Sequence, residues 1–257
     1  MSNECKQAVE LLSGARRVVA LTGAGMSQES GVPTFRDAQT GLWERYDPTE
    51  LATAAAFQQN PARVFGWYLW RWRLVQRVSP HAGHYALVAL VRGFDELVVV
   101  TQNVDGLHRR AGSPDVLELH GSIDAFRCFD QGHPYDPAGL ESLELPESGE
   151  VQPPECRVCG SPVRPGVVWY GEFLPQDALE RACRVVAECD ALLVIGTSAL
   201  VYPAADLPNL GLAGGASVIE INPESTPLTP RVHLWWPESA GAALPALSAA
   251  LGQPVAP

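Results

Sequence analysis

His120 is the first residue to weigh as a chemical group. It follows Leu117-Glu118-Leu119 and precedes Gly121, so its ring can enter a cleft with no neighbouring side chain in the way. An unperturbed imidazole titrates near about 6.5, which leaves much of it neutral, and so basic, near physiological pH. A histidine at a strand end is more often a structural residue than a catalytic one, and alone it decides nothing. Upstream lies the turn Gly23-Ala24-Gly25. Glycines there let the backbone approach a pyrophosphate, whose charge a following helix N-terminus favours. Gln28 stands where the common dinucleotide fingerprint has a third glycine, so a plain strand-to-helix turn is an equal reading. Tyr68-x-x-Arg71 places a phenol and a guanidinium on one helix face. Arginine takes a carboxylate through two parallel hydrogen bonds, and a tyrosine hydroxyl can add a third. Arg63, Arg71, Arg73 and Arg77 could equally form a solvated face. Finally, Cys156-Arg157-Val158-Cys159 and the distant Cys128 offer three thiolates to a tetrahedral zinc ion.

The elements that must carry these residues follow from the apolar runs. Arg17–Thr22 is a short apolar run ending at Gly23, the form of a buried parallel strand meeting a glycine turn. Comparable runs fall at 96–101, 191–196 and 216–221, each ending in small or polar residues: Thr-Gln-Asn-Val-Asp, Gly-Thr-Ser and Asn-Pro-Glu. Helical patterns occupy 8–13 and 177–188. Alternating strands and helices predict an α/β fold with a doubly wound parallel sheet, Rossmann-like. Ligands bind such sheets outside the carboxyl ends of the strands, where the polar endings would meet. Two segments break the alternation. Residues 38–90 are helix-rich, with Phe65, Trp67, Tyr68, Trp70 and Trp72 clustered. Residues 124–166 read as irregular, rich in Pro, Gly and acids. Both are expected to be insertions building a smaller lobe. The large lobe would comprise 1–37, 91–123 and 167–257. Glu141, Glu144, Glu147 and Glu150 predict a solvated acidic loop.

Gly23-Ala24-Gly25-Met26-Ser27-Gln28-Glu29-Ser30-Gly31-Val32-Pro33-Thr34-Phe35-Arg36 closely resembles the NAD-binding signature of the sirtuin family. Thr101-Gln102-Asn103-Val104-Asp105-Gly106-Leu107-His108 resembles its nicotinamide-ribose segment, and Leu117-Glu118-Leu119-His120-Gly121-Ser122 its catalytic segment. Gly196-Thr197-Ser198 and Asn222-Pro223-Glu224 match its later nucleotide contacts. The resemblance spans roughly residues 10–250, with its motifs in order. It implies an NAD-dependent protein-lysine deacylase. NAD is consumed rather than used as a hydride carrier, and nicotinamide and O-acyl-ADP-ribose are released. His120 would be the base that takes a proton from a ribose hydroxyl, with Asn103 and Asp105 beside it. Gly23, Ala24 and Gly25 would face the pyrophosphate, with Ser27 and Glu29 in the same loop. Phe35 and Arg36 would close over the nicotinamide and ribose. Gln102, Asn103 and Asp105 would hold those groups. Gly196, Thr197, Ser198, Asn222, Pro223 and Glu224 would serve the adenosine half, with backbone from Ala240 near the adenine.

The segment Val167-Val168-Trp169-Tyr170-Gly171-Glu172 resembles the family's substrate-docking strand, with Val168, Gly171 and Glu172 as contacts. A peptide can add there as a further strand, although an ordinary edge strand is the other reading. The segment from Leu51-Ala52-Thr53 to Tyr68-Leu69-Trp70-Arg71 resembles the desuccinylase-like branch. Ala52 would leave room for a longer acyl chain, and Tyr68 and Arg71 would bind a succinyl or malonyl carboxylate. One departure concerns the metal. Zinc-bearing family members use two Cys-x-x-Cys pairs, and here Gln131 occupies the partner position to Cys128. A zinc on Cys128, Cys156 and Cys159 would need Asp130 or His133 as its fourth ligand.

Bulk properties bound these readings. The chain has 257 residues, 46% hydrophobic, with a formal net charge of −11, enough for one large domain or a domain with an insertion. Such a charge disfavours phosphate-backbone binding, so nucleic acid is not an expected partner; basic, lysine-bearing polypeptides are compatible. Acidity also serves solubility alone. No apolar run spans a bilayer and no secretion signal opens the sequence, so a cytoplasmic protein without a membrane partner is expected. Cys5, Cys183 and Cys189 fall in helical patterns and read as reduced packing residues. Two other functions fit parts of this picture. A protein ADP-ribosyltransferase could use the same cleft, and a non-enzymatic regulator could bind NAD or acyl-lysine without needing the base.

Overall fold

The computed structural model describes residues 1–33, 47 and 51–255. The predicted Phe35 and Arg36 contacts lie outside the described residues.

Strand β1 (Arg17–Thr22) is the centre of the main sheet. It pairs in parallel with β2 (Glu96–Thr101) on one side and β7 (Ala191–Ile195) on the other. Beyond β2 lies β3 (Val116–Glu118); beyond β7 lie β8 (Ser217–Ile221) and β9 (Leu234–Trp236), all parallel. The resulting order, β3-β2-β1-β7-β8-β9, reverses direction between β1 and β7. That reversal opens the crevice in which doubly wound sheets bind ligands. The strands are rich in Val, Leu and Ile because both faces are covered. Val18, Ala20, Leu97, Val99, Leu193 and Ile219 pack on one face with helices α1 (Asn3–Leu12), α4 (Ala82–Leu90) and α8 (Ala240–Ala250). Val19, Leu21, Val98, Val100, Leu192 and Val218 face α6 (Gln176–Glu188) and α7 (Leu207–Ala213).

A second core contains Phe57 of α2 (Ala54–Gln59) and Val64, Phe65, Trp67, Tyr68, Leu69, Trp72 and Val75 of α3 (Pro61–Arg77). These pack against an antiparallel sheet of β4 (Gly121–Cys128), β5 (Pro134–Tyr135) and β6 (Val163–Val167). The aromatic cluster is therefore core, and α3 starts where Asn60 caps Arg63 N–H ahead of Pro61 at the first turn.

Several expectations change. Helix α1 begins five residues before the apolar pattern does, because the Ser2 hydroxyl accepts from Cys5 N–H and caps a polar first turn. Residues 124–166 hold ordered strands rather than an irregular loop. Helix α4 lies within the 38–90 segment, yet Ala86, Leu87 and Leu90 pack in the main-sheet core. The acidic segment is pinned at Leu140 and Val151, both buried, and Glu150 pairs with Arg63. Cys5, Cys183 and Cys189 are free thiols. Among the described residues no helix is long and apolar enough to cross a membrane.

Candidate functional site

A cleft of about 1180 Å³ opens at the carboxyl ends of β1, β2, β7 and β8 and runs toward α3. Three loops form the wall above the sheet. The turn after β1 supplies Gly23, Ala24, Gly25, Ser27 and Glu29; the end of β7 supplies Gly196, Thr197 and Ser198; the end of β8 supplies Asn222, Pro223 and Glu224, with Ala240 beside them. The glycines here serve loop-to-loop contact first. A Cβ on Gly23 would lie 2.8 Å from the Gly196 carbonyl oxygen, and one on Gly25 2.8 Å from Gly196 Cα. Gly196 itself has φ +58, and Gly25 N–H donates to its carbonyl. No side chain fits between the two turns, so the strand ends close at the switch point. Glu29 turns away from the turn and accepts from Ser239 Oγ–H and Gly241 N–H at the start of α8. A carboxylate there satisfies orphan donors and the helix dipole.

The loop after β2 carries Gln102, Asn103 and Asp105. Asn103 is buried, and its Nδ2 donates to Gly23 O at 2.9 Å and to Ser27 Oγ at 3.1 Å. A carbonyl can only accept, so the amide orientation is settled and Oδ1 is left as an acceptor. Asp105 accepts from Leu107 N–H at 2.9 Å. Burial raises its carboxyl above the usual value, against the opposing pull of that bond, Ser27, Arg110 and Arg71. Gln102 Nε2 donates to Thr197 Oγ1, tying the β2 loop to the β7 loop.

His120 sits between β3 and β4. Its Nδ1 lies 2.9 Å from the Gln102 carbonyl oxygen. That oxygen only accepts, so Nδ1 carries the proton and Nε2 carries the lone pair of the neutral ring. Burial lowers its pKa below the ordinary 6.5, with the Gln102 bond opposing. Gly121 is required next to it: φ is +72, and a Cβ would meet the Gly166 carbonyl oxygen at 2.1 Å.

The opposite wall is built by Ala52, Tyr68, Arg71, Val168, Gly171 and Glu172. Strand β6 ends at Val167, so 168–172 continue beyond the β4–β6 sheet, with Tyr170 bridged in parallel to Thr53. Val168 N–H donates to His120 O and Tyr170 N–H to Ala52 O, and Gly171 turns with φ +86. Glu172 faces inward: it pairs with both Arg164 terminal nitrogens and accepts from Trp169 N–H at 2.8 Å. Trp169, unmarked in the sequence, donates its Nε1–H to the Tyr68 hydroxyl at 2.9 Å. Burial holds the Tyr68 phenol well above its ordinary pKa, so it stays protonated. The Arg71 guanidinium lies 5.1 Å from the Trp67 ring centroid and borders the cleft.

Away from the cleft, Cys128, His133, Cys156 and Cys159 place their ligand atoms within 4.8 Å of one another. Cys128 Sγ and Cys159 Sγ are 3.7 Å apart; His133 Nδ1 is 3.5 Å from Cys128 Sγ and 3.7 Å from Cys156 Sγ. Zinc bonds of about 2.3 Å to sulfur and about 2.0 Å to nitrogen give tetrahedral edges of about 3.5–3.8 Å. The set therefore fits one structural zinc ion. His133 supplies the fourth donor of that set, and Asp130 is not among the clustered groups.

Comparison with known proteins agrees with this geometry. Residues 23–203 match the family described as "Sir2 family". The chain is 55% identical over 216 residues to NAD-dependent protein deacylase 1 of Pseudomonas aeruginosa, covering 84% of this chain and 86% of that one. It is 51% identical over 232 residues to an NAD-dependent protein deacylase of Mycobacterium tuberculosis, covering 90% and 96%. A solved Sir2 homolog–NAD complex superposes with a TM-score of 0.86 at 42% identity, over 96% of this chain and 93% of that one.

Proposed function

The chain belongs to the Sir2 family of NAD-dependent protein deacylases, and on that premise we propose that it favours lysine acyl groups ending in a carboxylate, with His120 as its base. NAD, the consumed co-substrate, supplies the ribose carbon that accepts the acyl oxygen and the hydroxyl that carries the acyl group away as O-acyl-ADP-ribose.

The protein's part is positioning and proton transfer. His120, held as the Nδ1–H tautomer by Gln102 O, presents the Nε2 lone pair to a ribose hydroxyl. Asn103 spends both amide protons on Gly23 and Ser27, which leaves Oδ1 to accept from the nicotinamide amide or ribose. Asp105, fixed by Leu107 N–H, completes that end of the cleft. The three loop turns after β1, β7 and β8 accept the pyrophosphate and adenosine. No protein nucleophile is needed. The Cys128, His133, Cys156 and Cys159 set would hold zinc as a clamp on the β4–β6 lobe, with no part in the chemistry.

The acyl preference is carried by one observation: Tyr68 and Arg71 line the same cleft as His120, with Ala52 small beside them. A guanidinium and a protonated phenol together suit an acceptor-only terminus such as succinyl or malonyl. The test is mass spectrometry of acetyl-, malonyl- and succinyl-lysine peptides incubated with and without NAD. NAD-dependent loss of the acidic acyl groups, faster than loss of acetyl, is the expected result. Acetyl removal that matches or exceeds the others would reject the preference.

A further inference from the structure

We infer that Trp169 is a positioning residue for the acyl pocket: its indole N–H occupies the acceptor side of the Tyr68 hydroxyl and turns the phenol proton toward the acyl terminus. This rests on the acidic-acyl reading above.

The indole has one donor and no acceptor, so the direction of the Trp169–Tyr68 bond is unambiguous. A phenol has one proton to give. With the indole on its lone pair, that proton must go elsewhere, and among the described residues the Tyr68 hydroxyl has no protein acceptor. Burial, the dominant influence on this phenol, opposes its ionisation. Tyr68 is thus an obligate donor next to a guanidinium. A carboxylate answers both groups with lone pairs. A terminal amide does so less well, since its NH₂ finds only donors facing it. Without the indole, the Tyr68 oxygen could itself accept, and that distinction would soften.

The indole is held so that it cannot turn away. Trp169 is 1% exposed. The Arg164 guanidinium lies over its ring, 3.3 Å from the centroid, and Arg164 is locked by its ion pair with Glu172. Phe57 packs with its ring centroid 5.3 Å away. Glu172 also accepts the Trp169 backbone N–H, so ring and backbone share one anchor.

The experiment measures kcat/KM for succinyl-lysine, acetyl-lysine and the terminal-amide isostere of succinyl-lysine in peptides of one sequence. The proteins are wild type, Trp169→Phe, Tyr68→Phe, the double variant and Arg71→Met. A further protein replaces Trp169 by its benzothiophene analogue, which keeps the ring shape and deletes only the N–H. That protein keeps the test alive if Trp169→Phe folds poorly. Loss of one oriented hydrogen bond should lower the succinyl-to-acetyl ratio roughly five- to tenfold in both Trp169 replacements. The succinyl-to-amide ratio should fall with it. Because the indole acts through the hydroxyl, the double variant should match Tyr68→Phe within about twofold rather than multiply the two losses. Unchanged ratios in the analogue protein, or multiplicative losses, overturn the inference. If Arg71→Met abolishes the succinyl preference while the Trp169 replacements leave it intact, only the positioning role fails. If the wild type shows no succinyl preference, the acidic-acyl reading fails and this inference with it.

Discussion

The His120 imidazole is poised by two neighbours that do different things. The Gln102 carbonyl selects its tautomer, and Gly121 lets β4 cross tightly onto β6 so that the ring projects into the cleft. His120→Ala should cut turnover by about 10²–10⁴-fold without loss of fold, read by steady-state kinetics together with thermal melting. Its pKa sets a second expectation. The base must be neutral, and burial favours the neutral form, so activity should persist below pH 6.5 and be lost as pH falls through the lowered pKa. An acid limb of kcat/KM at or above pH 6.5 would contradict this. For substrate choice, Arg71→Met removes a two-pronged donor and should depress desuccinylation at least tenfold more than deacetylation. Equal losses of both activities would remove the assignment.

At the scale of elements, the cleft exists because two turns touch without side chains and because the helices behind them are pinned by a histidine cluster. His81 at the start of α4 donates its Nε2–H to Met26 O, under the glycine turn. His84 of α4 and His108 of α5 (Leu107–Ala111) meet with ring centroids 4.9 Å apart and planes tilted by 57°, and His108 Nε2 lies 2.9 Å from Thr22 Oγ1 at the end of β1. Burial first, then neighbouring His108, His81 and Arg110, pushes His84 down to about 2; burial and His81 push His108 down to about 4. Both are depressed below their unfolded value of about 6.5, so the unfolded chain binds the extra protons between those limits. Their contribution is fully present above pH 6.5 and is lost as pH falls below it. The melting temperature should drop by roughly 5 °C or more between pH 7 and 5.5. His84→Gln should flatten that slope. An identical slope in the variant would show that other groups control acid stability.

At the scale of the whole molecule, a parallel sheet with two covered faces carries one side of the cleft, and the β4–β6 sheet with α2 and α3 carries the other. The second lobe has a short sheet, and its far end is where the cysteine–histidine cluster sits, joining β4 to residues 133 and 156–159. Purified protein should contain one zinc per chain. Chelation or His133→Ala should lower both zinc content and melting temperature, since binding energy at such a site is folding energy. A folded, active sample with zinc near zero would eliminate the ion.

The three-residue β9 was missed, and the cleft roles rested on the family resemblance, but strands β1, β2, β7 and β8, the turn glycines and the polar residues after those strands were legible in the chain itself. They are set by local rules: apolar runs for strands buried on both faces, Gly23 and Gly25 at a strand end, polar residues after each run. The start of α1 was hidden because its first turn is polar and its signal is the Ser2 cap. The strands of 124–166 were hidden because β4 bulges between Ser122 and Phe126 and β6 contains Pro165 and Gly166, which break a simple alternation. Only the tertiary structure decided which donor completes the metal set: Asp130 lies nearer to Cys128 along the chain, yet His133 is the residue that joins the three cysteines. Only it showed that Glu29 caps α8, that Glu172 is locked to Arg164, and that Trp169 donates to the Tyr68 hydroxyl from 101 residues away. Each of these is a pairing between distant segments, and a hydrogen bond has no trace in local sequence until both partners have been brought together.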